Sequence, residues 1–156
     1  MDLEDIRHFR ETMRQLQRVL SWQSKSDAAC CGITLAQCHV LMEIGKASKI
    51  SIVDLALILG LDKSTLSRTI DGMVEIGLVE RLSNPEDRRY LKLTLTEQGK
   101  NLFDSINCTF DQYYQDVFAA IPPEKHQQVA ESLSLLAGAI TEKSSSECCR
   151  EEELTS

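Results

Sequence analysis

The sequence predicts a mainly α fold with a small β-hairpin, and three observations carry this prediction. Long segments near both ends of the 156-residue chain repeat apolar residues every three or four positions, which is the spacing of one helix face. Two shorter segments with the same spacing flank Gly60, a residue suited to a tight turn. Two runs with strand propensity, LVERL and YLKLTL, flank the polar stretch SNPEDRR and predict the hairpin.

The composition is that of an ordinary globular domain, with 42% hydrophobic and 26% charged residues. The formal net charge is −7, so any nucleic-acid surface must arise from local clustering of Lys and Arg. The N-terminal residues MDLEDIRHFR do not resemble a signal peptide, and no apolar run is long enough to cross a bilayer. We therefore expect a cytoplasmic protein without membrane contacts, whose six cysteines are thiols and not a disulfide framework.

The N-terminal third predicts two helices. Residues 3–24 carry one apolar stripe, formed by Ile6, Phe9, Met13, Leu16 and Leu20. The stretch SKSDAACCGI interrupts this pattern and predicts a loop. Thr34 and Gln37 then have the spacing of a capping box, which predicts that the second helix begins there, and GKASK ends it.

The middle of the chain predicts a helix-turn-helix followed by a wing. Ser51 begins a short helix that ends near Leu59, and Asp62 caps the next helix. Two short helices joined by a tight glycine-containing turn are typical of the helix-turn-helix. The second helix ends at Gly77, and the hairpin that follows it directly is a wing. The predicted buried stripe of this second helix is Leu66, Ile70, Met73 and Val74.

Two further helices are predicted after the hairpin. Thr96 caps a long helix, IPPEK breaks it, and a last helix follows. Their apolar stripes are Leu102, Ile106, Phe110, Tyr113 and Val117 in the first, and Val129, Leu133, Leu136 and Ile140 in the second. Residues 144–156 are polar and acidic and predict a mobile tail.

The segment SIVDLALILGLDKSTLSRTIDGMVEIGLVERLSNPEDRRYLKLTLTEQG resembles the winged helix-turn-helix core of the MarR family of bacterial transcription regulators. Its specific motifs are LDKSTLSR, GLVER and NPEDRRYLKLTLTEQG, and residues 3–141 fit the helix order of the family. The resemblance implies a winged helix-turn-helix with N- and C-terminal dimerisation helices. It also implies a triangular homodimer on a palindromic DNA operator, usually a repressor that a small ligand, oxidant or metal releases. The implied segments are an N-terminal dimerisation helix and loop at 1–33, the DNA-binding core at 34–98, C-terminal dimerisation helices at 99–143 and a flexible acidic tail at 144–156.

Candidate DNA-binding residues lie on the second helix of the helix-turn-helix and in the wing. Ser64, Ser67, Arg68 and Asp71 lie opposite the buried stripe, where short hydroxyls allow close approach and an arginine can reach guanine edges or phosphates. In the wing, Asp87 and Arg89 match the D-x-R motif of the family, which implies that the arginine enters the minor groove. A solvated helix face and an ordinary charged hairpin tip are the alternatives. The predicted DNA-binding residues are Lys63, Ser64, Thr65, Ser67, Arg68, Asp87, Arg88, Arg89 and Lys92.

The apolar stripes of the first and last helices would be exposed on a lone winged helix. The resemblance implies that they pair with a second subunit, the alternative being packing within one chain. A two-fold dimer places two recognition helices on half-sites about 34–36 Å apart. No Ser-His-Asp constellation, phosphate loop or HExxH motif is present, and adjacent residues such as Cys38 and His39 point about 100° apart on a helix. The sequence therefore predicts a protein that is not an enzyme.

Residues 30–39, CCGITLAQCH, suggest an effector site. The family's effector pocket lies between the dimerisation helices and the winged helix, and the resemblance brings this region near it. Thiolate-rich sites favour soft acceptors such as Zn(II), Cd(II), Hg(II), Cu(I) and As(III). We hypothesise that Cys30 and Cys31, with a thiol from Cys38 or Cys108, bind such an ion, the only cofactor that the sequence suggests. The tentative effector residues are Cys30, Cys31, Cys38, His39 and Cys108, and the tail adds the thiols of Cys148 and Cys149.

Three alternatives to this hypothesis stay open. The same cysteines could sense oxidants by forming a disulfide or a sulfenate. Cys38 and Cys108 could be small buried hydrophobic residues of their helices. The chain could also be a non-catalytic MarR-like protein that binds DNA weakly, which its net charge permits.

Overall fold

The computed structural model describes residues 2–83 and 91–152, and the side chains of residues 2–22, 31–82 and 91–143. The elements are α1 (Leu3–Cys30), α2 (Leu35–Ala47), β1 (Ile50–Ser51), α3 (Ile52–Leu59), α4 (Lys63–Glu75), β2 (Val79–Ser83), β3 (Leu91–Leu95), α5 (Glu97–Ala119), a short 3-10 helix (Pro123–Lys125) and α6 (His126–Glu152). The predicted order of helices and hairpin is confirmed. The chain divides into two compact units, Met1–Cys108 and Thr109–Ser156.

The predicted helix starts are confirmed by side-chain caps. Thr34 and Gln37 form a complete capping box, with Gln37 N donating to Thr34 Oγ1 at 3.2 Å and Thr34 N donating to Gln37 Oε1 at 2.8 Å. Ser51 Oγ accepts from Asp54 N at 3.1 Å and begins α3. Gly60 has a φ of 61°, the left-handed conformation that the turn between α3 and α4 requires.

The core of the first unit lies among α2, α3, α4 and the sheet. Its largest fully buried side chains are Leu41, Ile44, Leu55, Leu66, Ile70, Met73, Leu93, Val40 and Val79. The stripe predicted on α4 is confirmed for Leu66, Ile70 and Met73. It is wrong for Val74, which is 36% exposed, because one further residue turns the side chain about 100° away from Met73.

A three-stranded antiparallel sheet with the order β1-β3-β2 carries the wing. The predicted hairpin is confirmed, with Val79 opposite Leu95 and Ser83 opposite Leu91. Strand β1 was not predicted from the sequence, because two residues are too few to display alternation. Here Ile50 pairs with Leu93, and Thr94 Oγ1 donates to Ser48 O at 2.8 Å.

Thr96 joins the wing, the end of α4 and the start of α5. Its N–H donates to Leu78 O at 3.1 Å, and its hydroxyl donates to Gly77 O at 2.6 Å. The same hydroxyl oxygen accepts from Gly99 N at 3.0 Å, which caps α5 as predicted. Because the backbone and side chain of this one residue bond both to the residues that follow α4 and to the first turn of α5, the base of the wing is held beside the end of α4.

Two predictions about helix ends were wrong. Helix α1 continues through Cys30, so the loop expected over SKSDAACCGI is confined to residues 31–34. The reason is local, because Ala28 and Ala29 favour helix and the first strong breaker is Gly32, with a φ of 70°. Helix α6 likewise continues through Glu152, where a tail was expected from residue 144.

Helices α1 and α6 each carry large apolar side chains that stay exposed in the single chain. On α1, Phe9 is 42% exposed and Leu16 is 39% exposed, and on α6 Leu133 is 54% exposed.

In the second unit, the turn before α6 is held by His126, whose Nε2 lies 2.9 Å from Ile121 O. Within the described ranges, no helix combines the length and the hydropathy needed to cross a membrane.

Gly99 tests the junction at Thr96. A Cβ at Gly99 would overlap the carbonyl oxygen of Leu78, which already accepts the N–H of Thr96 and cannot move freely. We expect Gly99→Ala to lower the free energy of unfolding by about 1–3 kcal/mol, measured by urea denaturation.

Gly138→Ala is the matched control, because a Cβ at this helical position of α6 meets no atom within 4 Å. Its expected effect is a stabilisation of about 0.5–1 kcal/mol. Equal stability changes in the two variants would contradict the close approach of Gly99 to Leu78.

Candidate nucleic-acid interface

Asp62 fixes the start of α4, the predicted recognition helix. Its Oδ1 accepts a hydrogen bond from Ser64 Oγ and another from Thr65 N at 2.8 Å. Hydrogen bonds from the Ser64 and Thr65 side chains and from the Thr65 N–H hold the pKa of Asp62 well below its ordinary value. The ionised carboxylate caps the helix. Because the Ser64 O–H already donates to this carboxylate, the Ser64 hydroxyl can only accept hydrogen bonds from DNA.

The face of α4 opposite the core presents the predicted contact residues. Lys63, Ser64, Thr65 and Arg68 are exposed, and Ser67 is half-buried. Within residues 2–83 and 91–152, Lys63 and Arg68 have no ion-pair or hydrogen-bond partner. Their charges are therefore available to phosphates or base edges, and a guanidinium can bind guanine through two parallel hydrogen bonds.

Asp71 does not act with these residues. It was predicted on the same outward face, but its Oδ1 accepts a hydrogen bond from Arg81 Nη2 on β2, in an ion pair that remains partly exposed. This contact ties the recognition helix to the first strand of the wing. Sequence reasoning missed Arg81, although it ends the GLVER motif, because nothing local links it to a residue ten positions earlier.

The wing is described in part. Lys92 is exposed on β3, where it pairs with Ser51 of β1 and Leu82 of β2. Asp87, Arg88 and Arg89 lie outside the described residues, so their predicted roles stay predictions. Helix α4 contacts β2, and Lys92 lies on β3, the central strand of the sheet.

The charge of the chain is unevenly distributed. Residues 34–96 contain eight basic and eight acidic side chains, whereas residues 97–156 contain four basic and eleven acidic ones. The net charge of −7 therefore comes from the part of the chain that follows the winged helix. The DNA-binding core is neutral overall, and its affinity for a polyanion depends on a few well-placed cations.

The cysteine cluster is only partly described. Cys31 is half-buried, Cys38 is buried on α2, and Cys108 is exposed on α5. His39 is exposed beside Cys38. Among side chains that the structure describes, no group of three or more His, Cys, Asp or Glu residues could hold a metal ion. A site with three thiolates would therefore need a cysteine whose side chain lies outside the described set, namely Cys30, Cys148 or Cys149.

A cleft of about 410 Å³ lies between the end of α2, β3 and the start of α5. Its apolar wall includes the ring of Phe103, which packs so closely on Gly45 that a Cβ there would overlap it. Lys49 and Lys100 line the same cleft, together with Asp104. An apolar wall beside two ammonium groups suits a small anion with an apolar body.

A helix-turn-helix with an adjacent wing and two free cations on the outward face of its second helix defines a winged helix-turn-helix DNA-binding protein. The MarR family profile matches residues 33–91. The transcriptional regulator BilQ of Clostridium symbiosum is 27% identical over 105 residues, covering 67% of this chain and 73% of BilQ. The multiple antibiotic resistance protein MarR of Escherichia coli is 43% identical over 67 residues, covering 43% of this chain and 46% of MarR.

Solved structures agree with these matches. The apo form of E. coli MarR superposes with a TM-score of 0.69 at 25% identity, covering 87% of this chain and 96% of that one. A mutant of S. aureus MepR, solved bound to an oligodeoxyribonucleotide, shares the fold with a TM-score of 0.61 at 19% identity, covering 85% of this chain and 97% of that one. The family profile, these relatives and these structures support a winged helix-turn-helix transcriptional regulator of the MarR type.

Arg68 and Lys63 should differ in what they contribute to DNA binding. We expect Arg68→Ala to cost about 1–3 kcal/mol on the preferred operator and to relax sequence preference, because a base-edge contact is lost. Lys63→Ala should weaken binding to all DNA sequences alike, because a phosphate contact carries no sequence information. It should also lower the slope of log affinity against log salt concentration by about one. Mobility shifts on a panel of operator variants at two salt concentrations measure both effects.

Lys125→Ala is the control, because it also removes one positive charge but lies in the second compact unit. Unchanged affinity and preference in Arg68→Ala would show that the outward face of α4 does not read DNA.

Proposed function

We propose that this chain is a homodimeric repressor that binds a palindromic operator in the cytoplasm. MarR-family regulators bind DNA and act as dimers, and a two-fold dimer matches a two-fold symmetric site. The observation that carries the proposal is the exposed face of α4, on which Lys63 and Arg68 have no partner among the described residues. The competing proposal, a MarR-like protein with weak DNA binding, predicts no salt-dependent mobility shift on the protein's own promoter.

The exposed stripe of α1 supports dimerisation. Ile6, Phe9 and Leu16 are 44%, 42% and 39% exposed in the single chain, although they lie on one helix face. Burying such a stripe against a second copy removes several large apolar side chains from water, at about 25 cal/mol per Å². Trp22, 84% exposed, lies on a different face of the same helix.

Phe9→Asp with Leu16→Asp should separate dimerisation from DNA contact. We expect the double variant to sediment as a monomer, because two carboxylates in an apolar interface are strongly disfavoured. It should lose the tight binding to a palindrome but keep the weak binding to a single half-site, as measured by mobility shift. Trp22→Asp is the control for adding a carboxylate to α1. A monomeric variant with full affinity for the palindrome would contradict the proposal.

For the effector, the proposal is a soft ion held by Cys30, Cys31 and a thiol from Cys38 or Cys108. Its support is chemical, since thiolates are preferred by Zn(II), Cd(II), Hg(II), Cu(I) and As(III). Cys31 follows the last residue of α1, and α1 contacts α2, which carries Cys38. An ion bound there would link α1 to α2, and a small shift of the dimerisation helices changes the spacing of the two recognition helices. The redox alternative uses the same thiols.

A second effector class is favoured by the cleft beside Phe103. Lys49 and Lys100 could pair with the carboxylate of a small organic acid while its apolar body contacts the Phe103 ring. This cleft shares α5 with Cys108 but none of its lining residues is a cysteine. The two effector proposals can therefore be tested separately.

Cys30→Ser with Cys31→Ser should abolish the response to soft ions and spare DNA binding. Mobility shifts with Cd(II), As(III) or peroxide, each followed by a dithiol chelator, measure the response. Reversal by a competing dithiol after an ion, without any oxidation step, supports the ion model, whereas a response to peroxide alone supports the redox model. Cys148→Ser with Cys149→Ser is the matched control. Normal responses to both ions and peroxide in the Cys30 and Cys31 variant would exclude both models.

A further inference from the structure

The first turn of α4 carries a serine whose hydroxyl proton is already engaged. Ser64 is exposed, and its O–H donates to Asp62 Oδ1 at 2.5 Å, the length of a hydrogen bond to an ionised acceptor. The same Asp62 oxygen accepts from Thr65 N at 2.8 Å, so the helix cap fixes the carboxylate that holds the serine. A serine hydroxyl has one proton and two lone pairs, and Ser64 therefore offers a further ligand only its lone pairs.

The charge of Asp62 makes a phosphate a poor ligand for Ser64. Hydrogen bonds from the Ser64 side chain and from Thr65 hold the pKa of Asp62 well below its ordinary value, so the carboxylate is ionised at neutral pH. A phosphate oxygen could contact Ser64 only if the O–H left this carboxylate, and a second anion would then lie next to the first. Serine hydroxyls elsewhere often bind phosphates, but Ser64 is held in the opposite sense.

The position of Ser64 on the helix favours a base edge as its ligand. Ser64 is the second residue of α4, and the N-terminal residues of a recognition helix reach base edges in the major groove. Ser64 and Arg68 both lie opposite the buried stripe, four residues apart, which places their Cβ atoms about 5–6 Å from each other. Base pairs follow each other at about 3.4 Å along DNA, so Ser64 reaches a base one or two steps from the Arg68 contact.

We infer that Ser64 selects a base with an exocyclic amino group in the major groove, either cytosine through N4 or adenine through N6. In that groove these amino groups donate, whereas guanine and thymine present only acceptors there. A hydroxyl that can only accept therefore binds cytosine or adenine and not guanine or thymine. This inference rests on the proposed contact between the outward face of α4 and DNA. Arg68 can only donate, so Arg68 and Ser64 read bases of opposite hydrogen-bonding type.

Ser67, the other serine of α4, does not have this restriction. It is half-buried and has no hydrogen-bond partner among the residues that the structure describes. Its hydroxyl can donate or accept, and it therefore suits any of the four bases. The two serines differ in what they can recognise because only Ser64 lies within reach of the capping carboxylate of Asp62.

Deletion of single amino groups from DNA tests this selection. The probe is a duplex that the full chain selects from random sequences, in which 2-pyrimidinone replaces each cytosine in turn and purine replaces each adenine. Next to the position at which Arg68→Ala relaxes sequence preference, we expect one deletion to weaken wild-type binding roughly threefold to tenfold, because one hydrogen bond is lost. The same deletion should have no effect on Ser64→Ala and its full effect on Ser67→Ala. The effective analogue shows whether the base is cytosine or adenine.

Asp62→Asn tests the origin of this polarity. Asparagine caps a helix about as well as aspartate, so α4 should begin at the same residue, as checked by circular dichroism. A neutral amide accepts the Ser64 O–H less strongly and adds N–H donors, so the effect of the amino-group deletion should fall to roughly twofold or less.

Asp54→Asn is the matched control, because Asp54 Oδ2 accepts from Ser51 Oγ at 2.7 Å at the start of α3. It removes the same charge and the same kind of hydrogen bond from the neighbouring helix, and the full effect of the amino-group deletion should remain.

Full dependence on the amino group in Ser64→Ala would overturn the inference, since another residue would then read this base. Full dependence in Asp62→Asn would overturn it as well, because the carboxylate would not set the polarity of Ser64. A wild-type protein that responds to no deletion, but still loses affinity in Arg68→Ala, would overturn the role of Ser64 and leave the proposed DNA contact of α4 intact. A wild-type protein that binds no DNA would overturn both.

Discussion

The burial of one face of α4 is the constraint on which the functional surface depends. Leu66, Ile70 and Met73 are fully buried against the rest of the winged helix, and each such side chain contributes about 1.5–3 kcal/mol when removed from water. Because a helix turns about 100° per residue, fixing this face leaves no freedom in the direction of the opposite one. The outward display of Lys63 and Arg68 is therefore a consequence of core packing and needs no contact of its own. Asp62 completes the arrangement by fixing where the helix begins.

Two contacts hold the recognition helix α4 in a fixed position relative to the base of the wing. The Asp71–Arg81 ion pair crosses from α4 to β2, while Thr96 bonds to the carbonyls of Gly77 and Leu78 at the base of the hairpin. The ion pair is partly exposed and contributes at most about 1 kcal/mol to folding, so its importance is geometric. The Thr96 junction is the more rigid of the two, since the close approach of Gly99 leaves no room for adjustment. Together they hold α4 beside β2 and the base of the hairpin.

The distribution of charge separates DNA contact from assembly. The winged helix is neutral as a whole, and the acidic excess lies in residues 97–156. A regulator of this kind does not adhere to DNA through bulk charge, and its affinity depends on a few cations in fixed positions. This makes operator binding sensitive to small changes in the relative position of the two subunits. A cleft at α2 and α5 and thiols at the end of α1 both adjoin helices that would carry such a change.

Sequence alone determined the features whose causes are local. The caps at Thr34, Ser51, Asp62 and Thr96 each join residues three positions apart, and the buried stripe of α4 is visible as periodicity, so helix order and recognition face could be inferred directly. Only the tertiary structure decided that Asp71 turns to Arg81, that Ile50 and Ser51 form a third strand, and that Val74 remains exposed. The partners in these cases are distant in sequence or selected by packing. They therefore cannot be predicted from hydrophobic periodicity or from secondary-structure propensity. The end of α1 was misjudged for a related reason: polarity suggested a loop, but a helix continues until a residue such as Gly32 stops it.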